Sequence, residues 1–331
     1  MHPIWLNRKR VQVRDNLYQF FRVFRSMLHS VDKWLWTDQL CIDQANLTER
    51  NAQVGIMGQI YKDAAETYMW LGVDPDRGQA ALELERIVES LAQATERRLQ
   101  AIWRSIAYSP ACRSLKTLFD RKYWTRHWIF QEAVISSRRQ LLYRHSTISW
   151  EAFEAAMKSF PQDWMKFFNA RAAYSVFLAV QDYHSLGFSS SASSIEATDH
   201  ETRLRNTCLT FARSSLCSDP RDKVYGIQSL MHADFSISVN YLLPAREVLV
   251  NWIVRYAEHT PRRIENILVL SQNCSLMSKA MRLALDKEHS ERAFTDFVLK
   301  PDRVRSVERL RAELIRSVFD PEEWRWTVKL S

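Results

Sequence analysis

Short apolar runs alternate with amphipathic helical segments over the first 150 residues, and this alternation constrains the fold more than any other feature of the sequence. Thr67–Gly72 and Gln140–Tyr143 are compact apolar runs without helical periodicity, which is typical of strands buried on both faces. The run 33–43 is also apolar and without helical periodicity, so we predict a strand there with Cys41 packed in the core. Because strands that alternate with helices build βαβ units, the sequence predicts an α/β fold with a mostly parallel sheet flanked by helices.

Helices are predicted around these strands. Residues 4–13 read as two short extended pieces joined by a polar turn, after which apolar residues recur at helical spacing between 17 and 28. Further helical patterns cover 48–65, 79–108 and 112–120, and Ser149 can cap another helix.

The hydrophobic pattern of the sequence changes after Trp150, where helical periodicity dominates. The segment 189–194 is low in complexity and is predicted to be a loop, and 217–225 is predicted to form a turn leading into a short helix. We therefore predict two regions, an α/β domain over residues 1–145 and a mainly helical region over residues 146–331.

Composition and charge narrow the function classes. The 46 Lys and Arg are interleaved with 38 Asp and Glu, so the net charge of +8 does not predict dedicated nucleic-acid binding. No apolar run is long enough to span a bilayer, and no transmembrane segment is expected. Five cysteines without a C-x-x-C pair, and an N-terminal segment without the apolar core of a secretory signal, predict a cytoplasmic location. The nine His are scattered, and no metal site is predicted.

An aromatic segment, 123–134, holds the candidate catalytic residue. Trp124, Trp128 and Glu132 are spaced four apart, so on one helix they would form a single row. Indole walls would desolvate the Glu132 carboxylate, raise its pKa and offer a stacking surface for a base or a nicotinamide ring. The alternative is a core helix whose glutamate forms an ion pair with Arg126 or Arg121.

Two acidic residues accompany the apolar run 33–43. Asp38 and Asp43 lie near the C-terminal end of the predicted strand, where doubly wound sheets place their ligands. Together with Trp124 and Trp128 they are candidate cofactor-binding residues. Structural capping of the next loop is the alternative role for the two carboxylates.

Several segments carry motifs in a fixed order. They are Leu35-Trp-Thr-Asp-Gln-Leu-Cys-Ile-Asp-Gln44 with Glu49-Arg50, Met57-x-x-Ile60-Tyr61 leading to Trp70-Leu71-Gly72, and Tyr123-Trp-x-Arg-x-Trp-x-x-Gln131-Glu132. In order and spacing they resemble the string W-I-D-x-L-C-I-N-Q … E-R … M-x-x-I-Y … W-L-G … R-x-W-x-x-Q-E of the fungal heterokaryon incompatibility (HET) domain. Downstream, 218–225 resembles the D-P-R-D-K-V-Y run found after the core of many such proteins.

The resemblance implies a role in non-self recognition and programmed cell death, carried out through protein partners or self-association. The HET core is thought to be similar to the TIR domain, a flavodoxin-like sheet with helices on both faces. Some TIR domains cleave NAD with a helix-borne glutamate in a Trp-Cys-x-x-Glu motif. Trp128-Ile-Phe-Gln-Glu132 has the same spacing, with Ile129 in place of the cysteine. By this resemblance Glu132 is the candidate catalytic residue and NAD a candidate substrate, while no bound cofactor is implied.

The resemblance also implies a missing element. HET domains usually open with a strand and loop of the type Y-x-A-L-S-Y-x-W-G, upstream of the segment that 4–13 matches here. In a flavodoxin-like order that strand is the centre of the sheet, so we expect an N-terminally incomplete domain with weakened catalysis. Two functions stay open: an effector that cleaves NAD, and a degenerate, non-catalytic protein–protein interaction module.

Overall fold

The chain forms two compact units, each assembled from segments that are distant in sequence. The computed structural model describes residues 1–27, 34–73, 79–188, 194–231, 235–260, 265–299 and 303–319. Unit 1 comprises 1–44, 61–125 and 136–177, and unit 2 comprises 45–60, 126–135 and 178–331. These units are defined by contacts within the fold. The sequence-based division into residues 1–145 and 146–331 stays a prediction.

Unit 1 opens with a β-hairpin and a helix, as predicted. β1 (His2–Leu6) pairs antiparallel with β2 (Lys9–Val13), and the two turn residues Asn7 and Arg8 have φ values of 47° and 64°. Positive φ at both central positions is what a tight two-residue hairpin turn requires. Helix α1 (Asp15–Met27) follows, and residue 28, the last position of the predicted apolar stripe, lies outside the described residues.

A three-stranded sheet forms the centre of unit 1. β3 (Thr67–Gly72) pairs parallel with β4 (Arg139–Tyr143), which pairs antiparallel with β5 (Ser146–Ser149). The two predicted strands are confirmed. β5 was not predicted because Ile148 is its only apolar residue. The fold is therefore mixed α/β with small sheets of mixed strand direction, in place of the mostly parallel sheet that the sequence predicted.

The core of unit 1 is aromatic and aliphatic. Phe20, Val23 and Phe24 of α1 pack with Trp70 of β3 and Leu142 of β4 in one buried cluster. The helical stripe predicted after residue 17 thus covers the sheet.

The strand predicted over 33–43 is wrong. Residues 34–37 have no regular structure, and α2 (Asp38–Cys41) is a single helical turn. The amides of Leu40 and Cys41 both donate to the Thr37 carbonyl, at 3.1 and 2.9 Å. Because local bonds satisfy this backbone, the segment joins no described sheet, and Cys41 is exposed instead of packed in the core.

One long predicted helix is divided in two. Where the pattern predicted continuous helix over 79–108, α4 (Gln79–Ala92) is separated from α5 (Glu96–Ala107). Thr95 is extended, and its carbonyl accepts from the amides of Arg98 and Leu99, so a new helix begins there. With helices numbered along the chain, the remaining helices of unit 1 are α6 (Ala111–Phe119), α8 (Trp150–Lys158), α9 (Trp164–Phe167) and the start of α10 (Arg171–Phe188).

Unit 2 is predominantly helical, in agreement with the helical character predicted beyond Trp150. Its helices are most of α3 (Leu47–Asp63), α7 (Ile129–Ile135), the rest of α10, α11 (Ser194–Ser214), α12 (Asp222–Gln228), α13 (Ala245–His259), α14 (Glu265–Ala280), α15 (Lys287–Leu299) and α16 (Arg303–Ser317). One short antiparallel pair, β6 (Ala284–Leu285) with β7 (Val318–Phe319), accompanies them. Most of the Ser-rich loop predicted at 189–194 lies outside the described residues. None of the helices in the described ranges is both long and apolar enough to cross a membrane.

Candidate functional site

The predicted row of Trp124, Trp128 and Glu132 does not form on one helix. Residues Lys122–Thr125 make a separate 3₁₀ turn, and α7 begins only at Ile129. Between them Arg126 forms an isolated parallel bridge with Leu216, a bend and a turn follow, and the amide of His127 donates to the Leu216 carbonyl at 2.9 Å. This tertiary hydrogen bond holds 126–128 away from helical geometry, which sequence spacing could not indicate.

Trp124 is a core residue of unit 1. Its side chain is 1% exposed, and its ring stacks on Phe153 with centroids 5.6 Å apart. The indole nitrogen donates to the Leu118 carbonyl at 2.8 Å. Both the faces and the polar atom of this indole therefore have structural partners.

Trp128 and Glu132 lie in unit 2 and have different surroundings. The Trp128 indole donates to Oδ2 of Asp222 at 3.3 Å. Glu132 lies in the first turn of α7, keeps 13% of its side-chain exposure, and has Oε1 3.8 Å from Nη2 of Arg126, which is itself 46% exposed. The ion pair of the alternative interpretation is thus present, at the long end of the usual range.

Asp38 and Asp43 are exposed residues of unit 1. Asp38 begins α2, and its Oδ1 accepts from the amide of Gln39 at 2.8 Å. This contact is local to the first turn of α2, and the alternative capping role of the two carboxylates stays a prediction. The predicted ligand-binding role of the two carboxylates stays a prediction.

A buried polar network in unit 2 joins motif residues that are far apart in sequence. We call Arg50, Trp128, Asp219, Asp222 and Tyr241 the buried network. Nη2 of Arg50 lies 3.7 Å from Oδ2 of Asp219 and 3.7 Å from Oδ1 of Asp222. The guanidinium carbon of Arg50 lies 3.6 Å from the Tyr241 ring centroid, a cation–π contact. The Tyr241 hydroxyl donates to Oδ1 of Asp222.

Arg221 binds the Asp219 carboxylate and the backbone of the segment 241–243 by hydrogen bonds. Its Nε and Nη2 donate to the two oxygens of Asp219 at 2.9 and 2.8 Å, a bidentate pair. Its Nη1 donates to the carbonyls of Tyr241 and Leu243. Although burial raises the pKa of Asp219, hydrogen bonds from Arg221 and the positive charges of Arg221 and Arg50 outweigh it and hold that pKa below its ordinary value.

The two carboxylates of the network respond differently to burial. Asp222 is more deeply buried, so desolvation raises its pKa, with the negative charge of Asp219 adding to the rise against the hydrogen bond from Tyr241. Desolvation and the neighbouring Asp222 charge likewise raise the pKa of Tyr241. The neutral phenol thus remains the donor in this pair.

A second buried group lies beside the network. His127 is fully buried, and its Nδ1 lies 2.8 Å from Oγ of Ser215, which also accepts from Nζ of Lys223 at 3.2 Å. Lys223 donates further to the carbonyls of Ala212 and Ser215. Burial, with the Lys223 charge, lowers the pKa of His127 to about 3, so the imidazole is neutral at physiological pH.

These contacts give the buried residues a structural role. The guanidinium and carboxylate groups of Arg50, Asp219 and Asp222 are directed at one another, and the network connects α3 with α12 inside unit 2. Across the described ranges, no group of three His, Cys, Asp or Glu side chains could hold a metal ion. Of the carboxylates in the predicted site, Asp38 and Asp43 are exposed, and Glu132 keeps 13% of its side-chain exposure.

Sequence reasoning missed this network, although both of its motifs were visible. Glu49-Arg50 and the Asp219–Tyr225 run were each recognised as motifs, but their separation of about 170 residues hid the contact. The sequence does contain a signal for this contact. The Asp219–Tyr225 run has two carboxylates, and the Glu49-Arg50 motif has an arginine that could pair with them.

Comparison with known families places part of this chain. Residues 1–132 match the model of the family "Heterokaryon incompatibility protein (HET)". The match confirms the resemblance over those residues, and it ends before the Asp219–Tyr225 run. Searches of curated proteins and of solved structures found no match to the chain.

Proposed function

We propose that this chain acts in heterokaryon incompatibility, as a cytoplasmic effector of non-self recognition and programmed cell death that works through protein partners or self-association. The match of residues 1–132 carries the proposal. The buried network supports it, because Arg50 and Trp128 of the matched region bind Asp222 of the downstream run. These three motif residues therefore lie together in unit 2.

The catalytic form of this proposal assigns NAD cleavage to Glu132. Its carboxylate keeps some exposure and pairs at 3.8 Å with a half-exposed arginine, so a ribose hydroxyl could displace that contact. Glu132 would polarise the ribose as nicotinamide leaves, and water would then attack the oxocarbenium-like carbon. This form includes a TIR-like core, of which the parallel pair β3–β4 would be part. Nucleotide contacts by Trp128, Trp124, Asp38 and Asp43 stay predictions.

A non-catalytic interaction module is the second candidate. A specific observation favours it: both tryptophans predicted to line a nucleotide pocket have structural partners, Trp124 with Phe153 and Trp128 with Asp222. In this form Glu132 and Arg126 are surface residues, and signalling depends on assembly alone.

Nicotinamide release separates the two forms. Purified protein is incubated with NAD over a range of protein concentrations, alongside Glu132→Gln and the control Glu288→Gln, which changes an exposed carboxylate paired with Arg292. The catalytic form predicts release by the wild-type protein, loss of at least about 100-fold in Glu132→Gln, and no change in the control. Absence of release by the wild-type protein at every concentration would favour the module.

Cell death tests the function itself. Expression of the wild-type chain in a filamentous fungus is expected to kill hyphae, and under the module Glu132→Gln kills equally well. If expression leaves hyphae viable under all conditions of fusion tested, the incompatibility proposal is wrong, whatever the NAD assay gives.

A further inference from the structure

A cavity of about 230 Å³ lies within unit 2. It is lined by residues of α3, α7 and α12 and by the segment 236–239, and Gly55, Gly58, Gln131, Tyr225 and Ser229 are among them. At about 30 Å³ for each water molecule, this volume corresponds to about seven or eight waters, or to one small organic molecule.

Two polar atoms on the cavity wall are buried and have no hydrogen-bond partner in the described parts of the chain. They are Oε1 of Gln131 and Oγ of Ser229. Gln131 is 1% exposed, and its Nε2 donates to the Tyr225 carbonyl at 3.2 Å, which fixes the amide and leaves Oε1 as the free acceptor. Since buried polar atoms are nearly always paired, these two atoms indicate an absent partner.

We propose that this cavity binds a small neutral carboxamide. Such a group donates its N–H to Oε1 of Gln131 and accepts from the Ser229 hydroxyl, so it satisfies both atoms with one planar function. None of the residues that line the cavity carries a charge. A carboxylate or ammonium ligand would therefore meet no opposite charge on the cavity wall, and we expect it to bind more weakly than a neutral amide.

This site is distinct from the proposed catalytic residue. Gln131 lines the cavity, whereas its neighbour Glu132 is not among the lining residues. The proposal therefore does not depend on NAD cleavage, and its test requires no NAD.

The two glycines of α3 provide a way to close the cavity. A Cβ on Gly58 would lie 2.7 Å from Cβ of Ser229, so the helix approaches α12 too closely there to accept a side chain. A Cβ on Gly55 would have no atom within 4 Å. Gly55→Leu should therefore fold and reduce the space available to a ligand at the edge of the cavity.

Fragment binding tests the proposal. Saturation-transfer NMR and thermal shift are measured on the full chain with acetamide, benzamide and uracil, and with benzoate as a charged analogue of benzamide. We expect at least one of the neutral amides to bind, and benzoate to bind more weakly than benzamide. Ser229→Ala, which keeps Cβ and removes only the hydroxyl, should weaken binding by about 3- to 10-fold, as should Gln131→Met. Gly55→Leu should weaken it further.

Ser214→Ala is the matched control, because it removes an exposed hydroxyl of α11 whose partners are carbonyls of its own helix. It should leave binding unchanged. The proposal is overturned if all three amides fail to bind at millimolar concentration, which would mean a cavity filled with water only. It is equally overturned if benzoate binds as well as benzamide, or if Ser229→Ala and Gly55→Leu both bind like the wild-type protein.

Discussion

Two arginine–carboxylate contacts in unit 2 are similar in length but differ in the surroundings of the arginine. Arg126 is 46% exposed and lies 3.8 Å from Glu132. Arg50 is 22% exposed, lies over the Tyr241 ring and faces two carboxylates, Asp219 and the more deeply buried Asp222, at 3.7 Å each. Exposed ion pairs contribute little to stability, whereas removal of one partner from a buried group leaves an uncompensated charge. The comparison teaches that Arg50 is the more enclosed of the two arginines, so its contacts should contribute more to the stability of the unit.

The burial of His127 gives the largest expected effect, a loss of stability at low pH. The unfolded chain protonates His127 near pH 6.5, but the folded protein resists protonation until about pH 3, so the unfolded state binds more protons between these values. Stability should therefore fall by about 4–5 kcal/mol as pH decreases through this window, at 1.36 kcal/mol for each pH unit. Urea unfolding at a series of pH values measures this slope.

Replacement of the His127 imidazole measures how much of the pH dependence of stability comes from this residue. His127→Asn should flatten the pH dependence, and His145→Asn, at an exposed position of unit 1, should not. If His127→Asn shows the wild-type slope, then the His127 side chain is more accessible to water than its contacts indicate.

Removal of each arginine compares the two contacts directly. Arg50→Met should lower the free energy of unfolding by about 3 kcal/mol, because Asp219 and Asp222 lose a shared positive charge. Arg126→Met is the matched control and should cost less than about 1 kcal/mol. Equal losses in the two variants, measured by urea unfolding at pH 7, would contradict the comparison.

Close packing against His127 gives the next effect. A Cβ on Gly226 would lie 2.5 Å from Cδ2 and 2.6 Å from Nε2 of the enclosed imidazole ring. Gly226→Ala should therefore destabilise the protein by about 2 kcal/mol.

Gly55→Ala is the control for this substitution. It also lies on a helix, but its new Cβ would contact nothing, so it should stabilise the protein by up to about 1 kcal/mol. Thermal denaturation of the two variants gives the opposite signs directly, and a stable Gly226→Ala would show that the ring can move aside.

Neutralisation of the Glu132 carboxylate should have the smallest effect on stability. Glu132→Gln is expected to change the free energy of unfolding by less than about 1 kcal/mol, since its partner Arg126 is half exposed. Circular dichroism and urea unfolding check this value. A larger loss would mean that Glu132 is itself a structural residue, and the NAD assay could then not be interpreted as chemistry.

Local signals predicted much of the secondary structure. The hairpin at 4–13, the strands β3 and β4, and the helix that Ser149 caps were all visible, and the Ser149 hydroxyl accepts from the amide of Ala152 as such a cap requires. These features depend on neighbouring residues, so sequence spacing contains the necessary information.

Two segments were predicted wrongly, for different reasons. The run 33–43 has a strand-like composition, but its backbone bonds close locally at Thr37. The segment 123–134 has helical spacing, but the bond from His127 to Leu216 interrupts it. Apolar texture alone could not distinguish these outcomes.

The sequence by itself determined the hairpin at 4–13, the strands β3 and β4 and the cap at Ser149, together with which motifs are present and which carboxylate lies at helical spacing from a tryptophan. Only the tertiary structure decided that Arg50 meets Asp219 and Asp222, that Trp128 donates to one of them, and that Glu132 lies near Arg126 with 13% of its side chain exposed. The physical reason is the distance along the sequence over which each kind of interaction acts. Periodicity and capping act over a few residues, whereas burial and charge pairing are set by whichever segments the folded chain brings together.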